Sequence, residues 1–223
     1  MTASRSTAAE SGVPARRRPH AIWRDTKRAE MRQRLFEAAL ELFRTQGVAA
    51  TTIRQIAGAA HTGLGTFFNY FAGKEAVLAE VGRLRQERIE ALLNDPAHAE
   101  ASAHERISDA LRALVAGMEE EPDLARAVIQ AAMTSPEIFH GERARFVALI
   151  DLLEGVLRAG QRRGEIAEDC DVEAAAHLII AIYVALALDW AARSSDYALE
   201  PALLAHVETL WRGLASKGQP TAI

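Results

Sequence analysis

Cysteine is almost missing from this chain: Cys170 stands alone in 223 residues, so no internal disulfide framework can brace the fold. A reducing cytoplasm is the expected compartment. The first 22 residues carry arginines among Ala, Ser, Thr and Pro but no apolar core, so they read as a disordered arm and not as a secretory signal. No segment shows the period-2 alternation of a half-buried strand. The class expected is all-α. A Walker loop, a Gly-x-Ser-x-Gly elbow and a dinucleotide fingerprint are also missing, and no paired acid and base or activated nucleophile emerges, so no enzyme is expected. Seven histidines, at 20, 61, 98, 104, 140, 177 and 206, show no metal-ligand spacing with Cys or carboxylates. Neither a metal nor another cofactor is expected. Asp169 and Asp171 flank Cys170 and disfavour its thiolate, which makes it an inert thiol, and the acidic run is better explained by helix capping.

What is present is charge, unevenly spread. Residues 1–75 hold 12 Lys/Arg against 6 Asp/Glu, whereas residues 76–223 hold 14 against 24, so a basic first third hides inside a net charge of −4. Such a split suits an anionic partner at one end, although a charged face is often only a solvated one. Helical signals run along the whole chain. An amphipathic helix is expected from Asp25 to Gln46, with Leu35, Ala39, Leu40, Leu42 and Phe43 on one face and Gly47 as its stop. Thr52-Ile53-Arg54-Gln55 fits a capping box that opens a short helix to about Ala60, and a second short helix spans about Leu64 to Tyr70. Gly73-Lys74-Glu75 opens a longer helix that ends before Asn94-Asp95-Pro96, the expected domain boundary.

Beyond that turn, helices are expected through Ile107 to Met118, through Leu124 to Met133, from Ser135-Pro136 to Gly164, from an Asp171 cap to about Arg193, and from Pro201 onward. Residues 174–192 approach the length of a membrane span with only His177 and Asp189 as interruptions. Their alanine content and the lack of interfacial aromatic belts fit a buried central helix instead. Its faces, Ile179, Ile182, Tyr183, Leu186 and Trp190 on one side and His177, Ala181, Val184 and Leu188 on another, suggest two packing partners. With the seam of Leu203, Val207, Leu210 and Leu214 in the final helix, they point to a four-helix bundle across a two-fold axis.

Two short helices joined by a tight turn in a basic region, behind a longer helix, describe a helix-turn-helix. Arg34 to Phe43, then Gly47, Thr51 to Ala57, and Gly65 to Glu75 keep the order and spacing of the DNA-binding domain of TetR-family regulators, which this segment resembles. The resemblance covers about fifty positions, and only in outline does Gly164-Glu165-Ile166 with Asp171 to Ala176 resemble the entry to that family's penultimate helix. Two departures stand out. His61 and Gly63 occupy the places of the family's turn glycine and capping serine, and Phe67-Phe68 replace the usual Leu-Tyr, so Phe68 lacks a hydroxyl for a phosphate. His enters the left-handed region more readily than most residues, and the cap passes to Thr62 or rests on Gly63.

The division expected is a basic arm at 1–24, a helix-turn-helix DNA-binding domain at 25–93, and a helical ligand-binding and dimerisation domain at 98–223. Candidate DNA contacts are Thr52, Arg54, Thr62, Gly63, Gly65, Thr66, Asn69, Tyr70 and Lys74, with Arg16, Arg17 and Arg18 for a minor groove or phosphates. Glycines permit close approach, Thr66 and Asn69 offer hydrogen bonds, and Lys74 supplies a cation. Each has a plainer alternative: Gly65 relieving packing, Thr66 solvated, Phe67 and Phe71 in the core. For an effector pocket between the helices of residues 104–193 the candidates are Met118, Gln130, Met133, Phe139, Phe146, His177, Tyr183 and Trp190. The function expected is a cytoplasmic homodimeric repressor that leaves a palindromic double-stranded operator when a small apolar effector binds, with no membrane partner. An activator or an effector-independent architectural DNA-binding protein is the alternative.

Overall fold

The computed structural model describes residues 19–98, 100–193 and 197–214, so the arginines at 16, 17 and 18 lie outside the described residues. Within them the chain forms nine α-helices and no extended strand: α1 Pro19–Ala50, α2 Ile53–Ala59, α3 Leu64–Phe68, α4 Lys74–Leu93, α5 Ala103–Glu120, α6 Pro122–Thr134, α7 Pro136–Arg162, α8 Val172–Ala192 and α9 Leu199–Leu214. Local signals account for most of these ends. Thr52 and Gln55 make the reciprocal capping box of α2, Ser102 and Glu105 repeat it at α5, and the side chains of Ser135 and Asp171 accept amides at the starts of α7 and α8. Gly164, at φ 76, closes the turn after α7 as only glycine does freely.

Four boundaries differ from expectation. α1 begins at Pro19, where proline suits a first turn, and its regular backbone is interrupted at Gly47 (φ 79, ψ 158), where the stop was expected, with a short helical piece following to Ala50. α3 is shorter, with Asn69 as its C-cap. A 3-10 turn, Pro96–His98, fills the connection between α4 and α5. α9 starts at Leu199, because the Glu119 carboxylate of α5 accepts the amides of Leu199 (3.0 Å) and Glu200 (3.3 Å). That cap comes from a distant helix and has no local signature.

Two hydrophobic cores meet on shared helices. Leu35, Phe36 and Phe43 of α1, Ile56 of α2, Phe67 of α3 and Val77, Leu78 and Val81 of α4 form the first, which Leu124 and Ala131 of α6 and Ile138 of α7 complete. Ile107 and Val115 of α5, Leu153 and Leu157 of α7, Ile179 of α8 and Leu203 of α9 dominate the second, to which α4 contributes Ile89 and Leu93. α4 and α7 therefore belong to both, as does α6, which adds Ala125 to the second. Displacing one of these helices in one core must disturb the other, since close-packed interiors transmit strain.

One ion-pair cluster fastens α1 to α4. Glu80, 8% exposed, accepts from Arg32 (2.5 Å) and from Arg83 (2.6 and 2.9 Å). Hydrogen bonds from Arg83 first and Arg32 second hold its carboxyl down at about 2. A depressed carboxyl stabilises the fold above its unfolded value, and that contribution is lost as pH falls through the folded one. Glu80→Gln is therefore expected to lower stability by about 2–3 kcal/mol at neutral pH. The gap between wild type and variant in urea melts should close between pH 4.5 and about 2, and a constant gap across that window would contradict the assignment.

α8 is long and apolar enough to cross a membrane by length and composition, yet its inner side is part of the second core. Ala175, Ala176, Ile179, Ile180, Ala187 and Trp190 face inward, while Ala174, Leu178, Ala181, Ala185 and Leu188 form an exposed stripe spaced 4, 3, 4, 3. Two sequence expectations are corrected here. The face of His177, Ala181, Val184 and Leu188 is not one surface, since Val184 and Leu188 line a cavity while His177 and Ala181 are exposed, and the α9 seam of Leu203 and Val207 is buried within the protomer with Trp211. The outward side of α9 carries Pro201, Ala205 and Thr209 instead.

Candidate DNA interface and ligand cavity

α2 and α3 are set by a turn with an unusual residue. His61 takes φ 54, the one non-glycine at positive φ among the described residues, and the turn closes through Thr62 N to Ala57 O (2.8 Å) and His61 N to Gly58 O (3.0 Å). Gly63 is the N-cap of α3 and offers no side chain, so Thr62 does not take over the capping. A left-handed His costs strain that glycine avoids and a β-branched residue increases. His61→Val is expected to destabilise the protein by about 1–2 kcal/mol in denaturant melts, with His61→Gly no less stable than wild type. Equal stability of all three would show that the turn tolerates any residue.

The outer surface of this unit is polar and apolar in small patches. Thr52, Arg54, Gly63, Gly65 and Asn69 are exposed, while Thr62, Thr66, Tyr70 and Lys74 are half-buried. A Cβ added at Gly63 or Gly65 would meet nothing within 4 Å. Packing within the protomer therefore does not explain these glycines. Phe67 and Phe71 are core residues, as the plainer alternative held, whereas Leu64 and Phe68, the latter marked in the sequence only for its missing hydroxyl, stand 41% and 51% exposed.

Lys74 has a different first task from the one expected. Its Nζ donates to Val48 O (2.7 Å) and Thr51 O (2.8 Å), tying the start of α4 to the connection between α1 and α2. Buried Thr51 strengthens the same joint by donating to Gly47 O (2.7 Å) and accepting from Gln46 (3.1 Å). Together these bonds hold the start of α4 against the segment that leads from α1 into α2. Tyr70 borders an open groove of about 710 Å³ with Trp23, Arg24, Lys27, Arg28, Glu30 and Arg34, a mainly basic flank of which the early start of α1 supplies Trp23 and Arg24.

A second concavity lies between the two cores. It measures about 340 Å³ and is lined by α4 (Gly82, Arg85, Gln86, Ile89), α5 (Leu114, Met118), α6 (Val128, Ile129, Ala132, Met133), α7 (Phe139, Glu142, Arg143, Phe146, Leu149) and α8 (Tyr183, Val184, Ala187, Leu188). Such a size falls at the lower end for small-molecule sites. Burial is the leading influence on both interior polar groups: it pushes the Tyr183 phenol up to about 12 and lowers the Arg85 pKa. Phe146 meets Tyr183 edge-on, with ring centroids 6.3 Å apart.

Comparison with known proteins fits both halves. Residues 35–81 match the family model for bacterial regulatory proteins of the tetR family. The structure of FadR from Thermus thermophilus, a TetR-family transcriptional repressor solved in complex with lauroyl-CoA, is 31% identical in sequence, with 86% of this chain and 99% of that one covered and a TM-score of 0.64. The chain belongs to the TetR family of transcriptional regulators. FadR from Bacillus subtilis, solved with stearoyl-CoA, shares the fold at 22% identity, with 82% and 98% of the two chains covered and a TM-score of 0.63. The HTH-type transcriptional regulator YhgD of Bacillus subtilis (strain 168) is 22% identical over 166 residues, 70% of this chain and 82% of its own length.

For this TetR-family regulator the cavity gathers Met118, Met133, Phe139, Phe146 and Tyr183 from the sequence candidates and omits three. Gln130 is exposed, and His177 is exposed with its Nδ1 on Glu173 O (3.0 Å). Trp190 is buried under the Arg126 guanidinium, 4.8 Å from the ring centroid, and belongs to the core beside the cavity. The α4 wall, with Arg85 and Gln86, was missed. Arg143 and Glu142 of α7 were missed as well.

Proposed function

We propose that this regulator is a repressor that binds a palindromic operator as a homodimer and releases it when a fatty acyl-CoA enters the cavity. The observation that carries the reading is that α4 and α6 wall the cavity and also complete the DNA-binding core. A ligand that spreads these helices reaches the helix-turn-helix through packed side chains. The lauroyl-CoA and stearoyl-CoA bound by the two FadR proteins suggest the ligand class, and the apolar lining suits an alkyl chain. In this reading residues 25–93 bind DNA, residues 98–223 bind ligand and dimerise, and α3 enters the major groove. Thr52, Arg54, Thr62, Gly63, Gly65, Thr66, Asn69 and Tyr70 are the proposed contacts, with Lys74 positioning them and adding positive charge.

The exposed stripe of α8 is the proposed two-fold contact. Operator half-sites should then lie about one helical turn apart, ~34–36 Å, or further if a dimer spans a longer site. Fluorescence anisotropy with DNA flanking the gene, titrated with and without lauroyl-CoA, tests the whole reading. The thioester should weaken operator binding by about 5–150-fold, the range of a coupling of about 1–3 kcal/mol. Operator binding that ignores lauroyl-CoA would overturn the choice of ligand, and no operator binding would overturn the repressor.

A further inference from the structure

Most polar groups on the cavity wall already have partners. Gln86 Nε2 donates to Arg145 O (3.0 Å) and Glu90 Oε1 (2.5 Å), and Glu142 is ion-paired with Arg145. Arg143 is exposed at the rim. Two groups are left. Arg85 donates to Gly117 O (2.9 Å), and its nearest carboxylate, on Glu121, stands at 3.8 Å, beyond hydrogen-bond length. The Tyr183 hydroxyl reaches only the thioether of Met118 at 3.4 Å, a weak acceptor. Both side chains line the cavity, and the charge of Arg85 acts on the phenol.

A guanidinium with donors to spare and a neutral phenol on the wall of the same cavity form a receptor for an oxygen acceptor, and neither suits a purely apolar ligand. We infer that Arg85 and Tyr183 together hold one oxygen of the ligand head, a carboxylate or a thioester carbonyl, with the alkyl chain lying among Ile89, Met118, Phe146 and Leu149. The inference rests on the cavity being the ligand site of the proposed function. It fixes the ligand as a chain with an oxygen-bearing end and gives the chain a direction. It also places the ligand head next to the DNA-binding unit, because Glu121, which Arg85 faces, is ion-paired with Arg44 of α1.

Displacement of the neutral fluorophore N-phenyl-1-naphthylamine from the full-length protein tests it, with dodecanoate, lauroyl-CoA and headless dodecane as competitors. Tyr183→Phe removes one oxygen and keeps the ring, and Arg85→Met removes the guanidinium at similar length. Each is expected to weaken an oxygen-headed competitor by about tenfold or more while changing dodecane by less than about twofold. Loss confined to dodecanoate identifies a carboxylate site, and loss extending to lauroyl-CoA identifies the thioester carbonyl. Equal weakening of headed and headless chains, no effect of either variant, or no displacement from wild type by any headed chain would overturn the anchor. Operator release is read separately. Release by lauroyl-CoA that survives both substitutions keeps the proposed function and removes the anchor, whereas variant-sensitive binding without release does the reverse.

Discussion

Arginine in place of Ala181 is expected to leave a folded monomer whose operator affinity has fallen by about 10²–10⁴-fold. Ala181 sits at the middle of the exposed α8 stripe, between Leu178 and Ala185, so a longer side chain meets solvent and not the protomer core. The fold should therefore survive. In the proposed dimer the same position is buried against its two-fold mate, where two guanidiniums would face each other without counter-charges, and unpaired buried charge is strongly destabilising. Obligate homodimers commonly bury about 2,000 Å² or more, an area that small residues such as Ala174, Ala181 and Ala185 permit by letting helices approach closely. A monomer then holds one half-site and loses the effective concentration of the second. Light scattering gives the mass, and anisotropy gives the affinity. An Ala181→Arg protein that remains dimeric with wild-type operator affinity would place the two-fold contact on another face.

The parts of this fold that could be read from sequence are those whose physics is local. Thr52 with Gln55, Ser135 before Pro136 and Asp171 are caps that act within one turn, and each marks the helix start it was expected to mark. His61 is similar: its left-handed backbone follows from the place it takes in a tight turn. Long-range partners left no such trace. Lys74 looked like a free cation because the carbonyls of Val48 and Thr51 that hold it carry no side-chain signal, and Glu119 as the cap of α9 is equally silent.

The cavity shows the same divide from the other side. Large apolar residues such as Met118 and Phe146 point to a pocket by type, whereas Arg85 and Gln86 are residue types that do not by themselves mark a cavity wall. The seam of Leu203 and Val207 has the spacing of either a core or a partner contact. Periodicity gives a face, and only the surrounding helices say what that face meets. His177 and Gln130 fell on the outward sides of α8 and α6 for the same reason.

Filling the cavity should separate sensing from DNA binding. Ala187 lines it from α8, is 5% exposed and lies close to Tyr183 and Val184, so an indole at this position projects into the space of about 340 Å³ and not into packed core. Ala187→Trp is expected to reduce affinity for lauroyl-CoA by at least about 100-fold, since most of the buried apolar area available to an alkyl chain is then taken. Operator affinity should stay within about twofold of wild type, because the substitution is remote from α3 and lies on the inward side of α8, where Leu188 alone of the outer stripe borders the same cavity. A repressor that no longer responds follows. Overpacking would appear as lost stability of about 1–3 kcal/mol, and a melting curve identifies it. Calorimetry with lauroyl-CoA and operator titration on the same preparation give both affinities. If the tryptophan variant still binds lauroyl-CoA tightly and still releases its operator, the ligand enters elsewhere and the shared walls of α4 and α6 are not the route of the signal. If ligand binding is lost and the operator also slips away, the indole has pushed those walls as a ligand does, and the cavity is coupled to the DNA-binding unit by packing alone.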